Sequence, residues 1–221
     1  MKLLPVNIDV HGKKAVIVGG GTVAERKCRS LLEAGAVVTV IAPEVIPELA
    51  ARELQGEISV TLRCWHPGDC HDAFIVFAAT DDRATNRSVA EEAQRCGILV
   101  CVSDAPLEGT FTSPSSIRRG DLLLTVSTGG KSPALSRRIR QELETLYGPE
   151  YADVVTILGD LREKQLTDRE SAEYNDKICK ELLEGGLCPV LKSGLREKHE
   201  SFVKQADSVR MSHPMDPEES S

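Results

Sequence analysis

The sequence predicts an α/β fold in which helices cover both faces of a parallel β-sheet. Two observations indicate this fold. Short runs rich in Val and Ile alternate with longer amphipathic stretches, and Gly, Pro, Asp or Asn bounds most of the runs. Strands that are apolar along their whole length are typical of a parallel sheet that is buried on both faces. The predicted strands cover residues 15–18, 37–42, 58–62, 74–79 and 98–102.

Two helices are predicted within this alternation. The first covers residues 22–34 and ends at Gly35, and the second covers residues 83–96 and ends at Gly97. Glycine in that position is a common way to end a helix. The opening segment "PVNIDVHGKK" alternates apolar and polar residues and turns at "HG", so it predicts one more short strand before the first core strand.

The character of the sequence changes after Asp104. The stretch "TFTSPSSIRRGDLLLTVST" predicts two strands joined at "RRGD". "SPALSRRIRQELETLY" then predicts a helix that carries Pro133 in its first turn. Further helices are predicted at residues 152–165, 171–183 and 196–205.

Composition and charge exclude several classes of protein. The formal net charge of −7 argues against general nucleic-acid binding. No apolar run approaches the roughly 20 residues of a membrane span, and "MKLLPVNIDVHGKK" lacks the pattern of a signal peptide. Seven cysteines without a C-x-x-C pair favour reduced thiols. We therefore expect a soluble, cytoplasmic protein.

One cysteine cluster raises the alternative of a metal site. "CWHPGDCH" brings together Cys64, His66, Cys70 and His71. The spacing matches no zinc pattern, and its Pro-Gly pair is typical of a loop. The sequence therefore predicts a loop and no metal ligands, with a metal site as the less favoured alternative.

The stretch "VIVGGGTVAERK" has the features of a dinucleotide-binding turn. Gly19, Gly21 and Ala24 satisfy the pattern G-x-G-x-x-G/A between a predicted strand and a predicted helix. The first Gly permits a tight turn, the second lets the backbone approach a pyrophosphate, and the small third residue lets helix and strand pack closely. The helix N-terminus adds free N–H groups for the phosphates. A Rossmann-type nucleotide domain is the prediction.

The end of the second predicted strand bears on the choice of cofactor. This strand ends "VIAPE" and lacks the terminal Asp or Glu that usually holds the ribose. Glu44, just beyond the strand, or backbone groups are the candidates for that contact. No Arg stands there to bind a 2′-phosphate, so NAD is favoured over NADP.

A basic cluster follows in the second half of the chain. Between residues 113 and 140 the only acid is Asp121. Arginine forks bind carboxylates in a bidentate manner, so the cluster indicates a polyanionic substrate, and a solvated helix face is the alternative. The basic residues are Arg118, Arg119, Lys131, Arg137, Arg138 and Arg140.

Asp104, in "CVSDAP", directly follows a predicted strand end. Ligands of parallel sheets bind at the carboxyl ends of the strands. A carboxylate there is a candidate general base. The alternative is that Asp104 caps the turn that follows it.

Taken together, the ordered stretches resemble the precorrin-2 dehydrogenase/sirohydrochlorin ferrochelatase family of siroheme synthesis. They are "LPVNIDVHGKKAVIVGGGTVAERK", "LLEAGAVVTVIAP", "FAATDD", "VSDAP", "FTSPSSIRRGDLLLTVSTGGKSP" and "LSRRIRQELE", over residues 4–146. The resemblance implies a homodimer that oxidises precorrin-2 to sirohydrochlorin with NAD+, and in some members inserts Fe2+ to give siroheme. It divides the chain into an NAD-binding Rossmann domain, a dimerisation and substrate segment, a helical domain and a disordered tail, at residues 1–112, 113–147, 148–206 and 207–221.

The resemblance also assigns site residues. The family's catalytic aspartate corresponds to Asp104, and Thr128 stands where some relatives carry a serine before the Gly-Gly pair. The family's tetrapyrrole substrate carries many carboxylates, which gives the basic cluster a role. The cofactor-binding residues expected from the resemblance are Gly19, Gly21, Thr22, Val23, Pro43, Glu44, Thr80 and Asp81. The substrate-binding residues expected are Thr128, Lys131, Arg118, Arg119, Arg137 and Arg138.

Two other functions fit parts of the sequence. A regulatory module that senses NAD would share the glycine turn, but it would not need the basic cluster or "SDAP". A chelatase without oxidation would not need the dinucleotide turn. The sequence favours the dehydrogenase over both.

Overall fold

The computed structural model describes residues 3–166 and residue 180. The chain divides into two units, the first ending at Ser113 and the second beginning at Pro114. The helices predicted at residues 171–183 and 196–205 and the tail predicted at 207–221 lie outside the described residues, apart from residue 180. Cys179 and Cys188 lie outside them too.

The first unit contains a five-stranded parallel sheet in the order β3-β2-β1-β4-β5, which confirms the predicted α/β fold. The strands are β1 Lys14–Val18, β2 Val37–Ala42, β3 Ile58–Leu62, β4 Ile75–Ala78 and β5 Leu99–Val102. The central strand β1 pairs with β2 on one side and with β4 on the other. The chain therefore reverses its direction of winding beside β1, and the crevice at such a point is where open α/β sheets bind ligands.

Three α-helices and a short 3₁₀ turn connect the strands: α1 Thr22–Glu33, α2 Pro47–Leu54, α3 Arg83–Arg95 and the 3₁₀ turn Pro106–Glu108. The helix α2 was not among the predicted helices. It has eight residues, begins with a proline and fully buries only Leu49. Such a helix is too short to show an apolar period in the sequence.

The strand predicted in the opening segment is absent, so that prediction was wrong. Among the described residues before β1, Val10 is buried, while Leu4 and Val6 are exposed. The segment turns at Gly12, whose N–H donates to the Gly35 carbonyl oxygen over 2.8 Å. Because β1 already has a strand on each side, the residues that lead into it find no open side of β1 to pair with.

Alternate residues of β1, β4 and β5 face two apolar layers. On β1, Ile17 packs in the layer that contains Cys28 of α1 and Leu49 of α2, whereas Val16 packs in the layer that contains Val89 of α3. Burial on both faces is the reason that these three strands are rich in apolar residues. Because all five strands are parallel, their carboxyl ends lie along one edge of the sheet.

The second unit begins with an antiparallel hairpin of β6 Ser115–Arg119 and β7 Leu122–Val126, as the sequence predicted. The turn between these strands contains Gly120, whose φ is +55°. The helices α4 Pro133–Leu146 and α5 Tyr151–Leu166 follow. Within the described part of the chain, no helix has the length and apolar character needed to cross a membrane.

Candidate active site

The first glycine of the turn between β1 and α1 is held tightly by two neighbouring strand ends. Gly19 has a φ of +129°, a conformation that side-chain-bearing residues rarely adopt. A Cβ atom there would lie 2.6 Å from the carbonyl carbon of Ala79 and overlap its oxygen. The Gly19 N–H donates to the Ile41 carbonyl oxygen over 2.9 Å. Gly19 thus fixes the turn against the chain on both sides of β1.

The second and third glycines have opposite surroundings. A Cβ atom on Gly20 would lie 2.9 Å from the carbonyl carbon of Glu44 and overlap its oxygen, and the Gly20 carbonyl accepts from the Ile46 N–H over 2.9 Å. Around Gly21, by contrast, a Cβ atom would meet nothing within 4 Å. Gly21 is exposed and is the N-cap of α1. The turn therefore presents open backbone at a helix N-terminus, where an anionic group can approach the N–H groups.

The other residues expected at the cofactor flank this open backbone. Thr22 is exposed as the first residue of α1, and Val23 is half-buried against the core. Beyond β2, Pro43 and Glu44 are exposed. The Glu44 carbonyl borders Gly20, so the chain after β2 lies directly beside the turn.

A hydrogen-bonded network joins the ends of β4 and β5. The Thr80 N–H and the Thr80 hydroxyl lie 3.1 Å and 2.8 Å from Asn86 Oδ1. The Asn86 amide nitrogen donates to the Thr80 carbonyl oxygen and to Asp104 Oδ1, each over 3.0 Å. Asn86 is completely buried. The network therefore connects a residue expected at the cofactor with the expected catalytic aspartate.

Asp104 follows β5, and its carboxylate is bonded to α3. Arg83 Nε lies 3.5 Å from Asp104 Oδ2, and the same guanidinium is paired with Glu108. The bond to Glu108, with a smaller contribution from Asp104, raises the pKa of Arg83, so Arg83 stays charged. The N-cap of the following 3₁₀ turn is Ala105 and receives no side-chain bond. The geometry therefore does not favour the alternative in which Asp104 caps that turn.

The two aspartates after Thr80 differ in what they do. Asp82 is the N-cap of α3, and its carboxylate accepts from the N–H groups of Ala84 and Thr85, each over 3.1 Å. The Thr85 hydroxyl, followed by these N–H groups, lowers the pKa of Asp82. Asp81 is exposed. Asp82 therefore orients the helix that carries Asn86.

Asn86 and Gly20 were not among the predicted site residues. Asn86 shares a helix face with the buried Val89, Ala90 and Ala93, so a lone amide on an apolar face was the signal available in the sequence. Gly20 lies inside the recognised motif, but its position there is a variable one. Only the neighbouring Glu44 carbonyl shows why a side chain cannot fit.

The cysteine-histidine stretch forms a loop. Arg63 makes two bonds of 2.7 Å to Asp69, and the buried Glu92 carboxylate accepts from the N–H groups of Gly68 and Cys70. Burial raises the pKa of Cys70 to about 12. Within residues 3–166 and at residue 180, no group of three or more His, Cys, Asp or Glu side chains could hold a metal ion.

The basic cluster of the second unit falls into two groups. Arg138 and Arg140 pair with acids one helical turn later, Arg138 Nε with Glu142 over 2.7 Å and Arg140 with Glu144 over 2.8 Å. Arg119 reaches the same Glu144 over 3.9 Å. For the remaining three basic side chains the described residues supply no ion-pair partner; they are Arg118, Lys131 and Arg137. Among the residues that the structure describes, these three have no acid to compensate their charge, and Arg119 and Arg140 share the single carboxylate of Glu144.

Thr128 is bonded to the start of α4. Its hydroxyl donates to the Ser132 carbonyl oxygen and accepts from the Ser132 N–H, each over 3.1 Å. The Ser136 hydroxyl lies 3.2 Å from the same oxygen. Ser132 in turn caps α4 by accepting from the Leu135 N–H. The hydroxyl expected near the substrate therefore closes the glycine-containing turn "TGGKS".

Comparison with known proteins places these sites in a family. Residues 6–115 match a family described as NAD(P)-binding, and residues 119–146 match the central region of sirohaem biosynthesis proteins. The siroheme synthase of Methylobacillus flagellatus is 34% identical over 210 residues, which are 95% of this chain and 45% of that protein. Siroheme synthase 3 of Aeromonas hydrophila is 40% identical over 164 residues, which are 74% of this chain and 35% of that protein. The chain thus spans less than half the length of these curated relatives.

A solved structure matches most of the chain. SirC, described as a precorrin-2 dehydrogenase, superposes with a TM-score of 0.75 at 27% identity, covering 93% of this chain and 100% of that one. This structural match and the two family matches indicate the same family. The chain belongs to the precorrin-2 dehydrogenase/sirohydrochlorin ferrochelatase family, to which the corresponding part of siroheme synthases also belongs.

Proposed function

We propose that the protein oxidises precorrin-2 to sirohydrochlorin, with NAD+ as the hydride acceptor. The observation that carries the proposal is the Asp104 carboxylate, held by buried Asn86 at the carboxyl ends of β4 and β5. The glycine turn lies at the same edge, after β1. In an open parallel sheet this edge is where a nucleotide and its substrate meet. The family membership supports the same reaction.

The glycine turn fits a dinucleotide. The open space at Gly21 and the N-terminus of α1 suit the pyrophosphate. The ribose is usually held by an acid at the end of the second strand, and the acid that follows β2 here is the exposed Glu44. The chain has no Arg at the end of β2, which favours NAD over NADP. When bound, NAD+ supplies the hydride acceptor.

Asp104 provides the other half of the chemistry. Dehydrogenation removes a hydride and a proton from the substrate, and the carboxylate receives the proton. Arg83, which stays charged, lies beside the Asp104 carboxylate, with its Nε 3.5 Å from Oδ2. The negative charges of the tetrapyrrole are met by Arg118, Lys131 and Arg137, the basic residues without an ion-pair partner in the described part of the chain.

We place the enzyme in the cytoplasm, acting as a homodimer. Leu135 and Leu146 on α4 are 50% and 65% exposed, which is typical of a surface that a second subunit covers. Light scattering at micromolar concentration should give about twice the 24.0 kDa chain mass. A fully active monomer would contradict the dimer. Insertion of Fe2+ into sirohydrochlorin, as a second activity, would use Asp104 as an acceptor for pyrrole protons.

The Asp104→Ala variant tests the proposed reaction. Loss of a positioned base should lower kcat for anaerobic precorrin-2 oxidation by about 10²–10⁴-fold. NAD+ affinity measured by calorimetry should stay within about twofold, because the glycine turn is untouched. The Glu48→Ala variant, at an exposed position of α2, is the control and should keep wild-type turnover. An Asp104→Ala enzyme with wild-type kcat would overturn the assignment of the base.

A further inference from the structure

We propose that Asn86 is a positioning residue that holds the catalytic carboxylate of Asp104 in register with the cofactor turn. The inference deepens the proposed function and rests on Asp104 being the base. It starts from burial: Asn86 is fully buried, and the buried positions one turn later on the same helix, Val89 and Ala90, are apolar. Burying an amide is costly unless all its polar atoms are bonded, so its presence calls for a specific set of partners.

Both the oxygen and the nitrogen of the Asn86 side-chain amide are hydrogen-bonded. Asn86 Oδ1 faces two donors of Thr80, the N–H and the hydroxyl. Asn86 Nδ2 faces two acceptors, the Thr80 carbonyl and Asp104 Oδ1. Rotating the amide by half a turn would set its oxygen against a carboxylate and a carbonyl, so these partners allow one orientation. Only an amide supplies two acceptor and two donor sites in this geometry.

The partners connect the base to the glycine turn. Thr80 follows Ala79, whose N–H donates to the Val18 carbonyl oxygen over 2.8 Å. Gly19 packs directly against the Ala79 carbonyl. The glycine turn thus contacts the peptide group between Ala79 and Thr80, to which the Asn86 side chain is bonded. The same side chain is bonded to Asp104. A base aligned to within a fraction of an ångström is worth orders of magnitude in rate.

Two substitutions separate positioning from structural support. Asn86→Asp is nearly isosteric and keeps an acceptor for the Thr80 N–H, but it loses the donor to Asp104 and sets two carboxylates side by side. Asn86→Ala removes the contacts without adding a charge, and it serves if the buried carboxylate prevents folding. We expect either variant to lower kcat about 10- to 100-fold, with the KM for precorrin-2 and the affinity for NAD+ changed by less than about threefold.

The decisive measurement is a double-mutant cycle with Asp104→Ala. If Asn86 acts through Asp104, then Asn86→Ala should change kcat by less than about twofold once Asp104 is gone. The matched control is Glu91→Ala, which removes the exposed ion pair with Arg87 from the same helix. It should lower the free energy of unfolding by at most about 0.5 kcal/mol and leave kcat unchanged.

A structural readout keeps the two proposals apart. A crystal structure of Asn86→Ala should show the Asp104 carboxylate displaced and the glycine turn unchanged. An unmoved Asp104, or an equal loss of kcat with and without Asp104, would overturn the role of Asn86 while leaving the proposed reaction intact. A fully active Asp104→Ala enzyme would instead overturn the proposed base, and the inference about Asn86 with it.

Discussion

The paired substitutions Gly20→Ala and Gly21→Ala should separate the structural and the ligand-binding roles of the glycine turn. Each adds one methyl group, and the two sites are adjacent. At Gly20 the methyl group would overlap the Glu44 carbonyl, which is backbone and cannot rotate away. At Gly21 it would point into open space, and the backbone is extended with a φ of −92°, which alanine adopts without strain.

The magnitudes follow from these contacts. Gly20→Ala forces the chain after β2 to move and endangers the 2.9 Å bond from the Ile46 N–H to the Gly20 carbonyl. Overpacking and a lost hydrogen bond together should destabilise the fold by about 3 kcal/mol, or roughly 6–12 °C for a chain of this size. Alanine caps a helix less well than glycine, but it also reduces the conformational freedom of the unfolded chain. These effects oppose each other, so Gly21→Ala should change the free energy of unfolding by less than about 1 kcal/mol.

Binding of NAD+ should show the opposite order. A methyl group at Gly21 occupies the space through which a pyrophosphate reaches the N–H groups of α1. Loss of one bond to a charged group is worth about 1.5–3 kcal/mol, so NAD+ affinity should fall roughly 10- to 100-fold. Calorimetry and thermal unfolding of both variants provide the test. Wild-type NAD+ affinity in Gly21→Ala, or wild-type stability in Gly20→Ala, would refute this account of the turn.

Two further predictions concern the basic cluster and the thiols. Arg137→Ala should raise the KM for precorrin-2 about tenfold, and the increase should be smaller at high salt. Arg138→Ala should change this KM by less than about twofold, because Glu142 already compensates the charge of Arg138. Steady-state kinetics at two ionic strengths would measure both effects, and equal effects would contradict the distinction. In the native protein at pH 8, iodoacetamide should modify exposed Cys64 and spare buried Cys70, whose pKa of about 12 leaves it protonated. Mass spectrometry would follow the labelling, and denaturation should abolish the difference.

Much of the fold could be predicted from local sequence patterns. Strands β2 and β3 have the predicted bounds, and the other core strands differ by a residue or so at their ends. Burial on both faces demands continuous apolar runs, which leaves a clear signal in composition. The opening segment shows the limit of that signal: its alternating residues predict a strand, but pairing depends on a free sheet edge, and β1 has none to offer.

The site was predictable only in part. The glycine pattern and the position of Asp104 after a strand are local features, so the sequence alone indicated a dinucleotide turn and a candidate base. The sequence groups Arg138 with the other basic residues between 113 and 140, but Arg138 pairs with Glu142, which lies two residues beyond that stretch. An ion pair one helical turn away is visible in sequence once the helix is known to continue.

Sequence by itself determined the parallel α/β sheet, the dinucleotide turn and the chemical types at the site, because each depends on residues that are neighbours in the chain. Tertiary structure alone decided that Gly20 must lack a side chain and that Asn86 holds Asp104. Glu44 is 24 residues from Gly20 and Asp104 is 18 residues from Asn86, and they meet only because parallel strands bring their carboxyl ends to one edge. Steric exclusion and hydrogen bonding act over about 3 Å of space, whatever the separation along the chain.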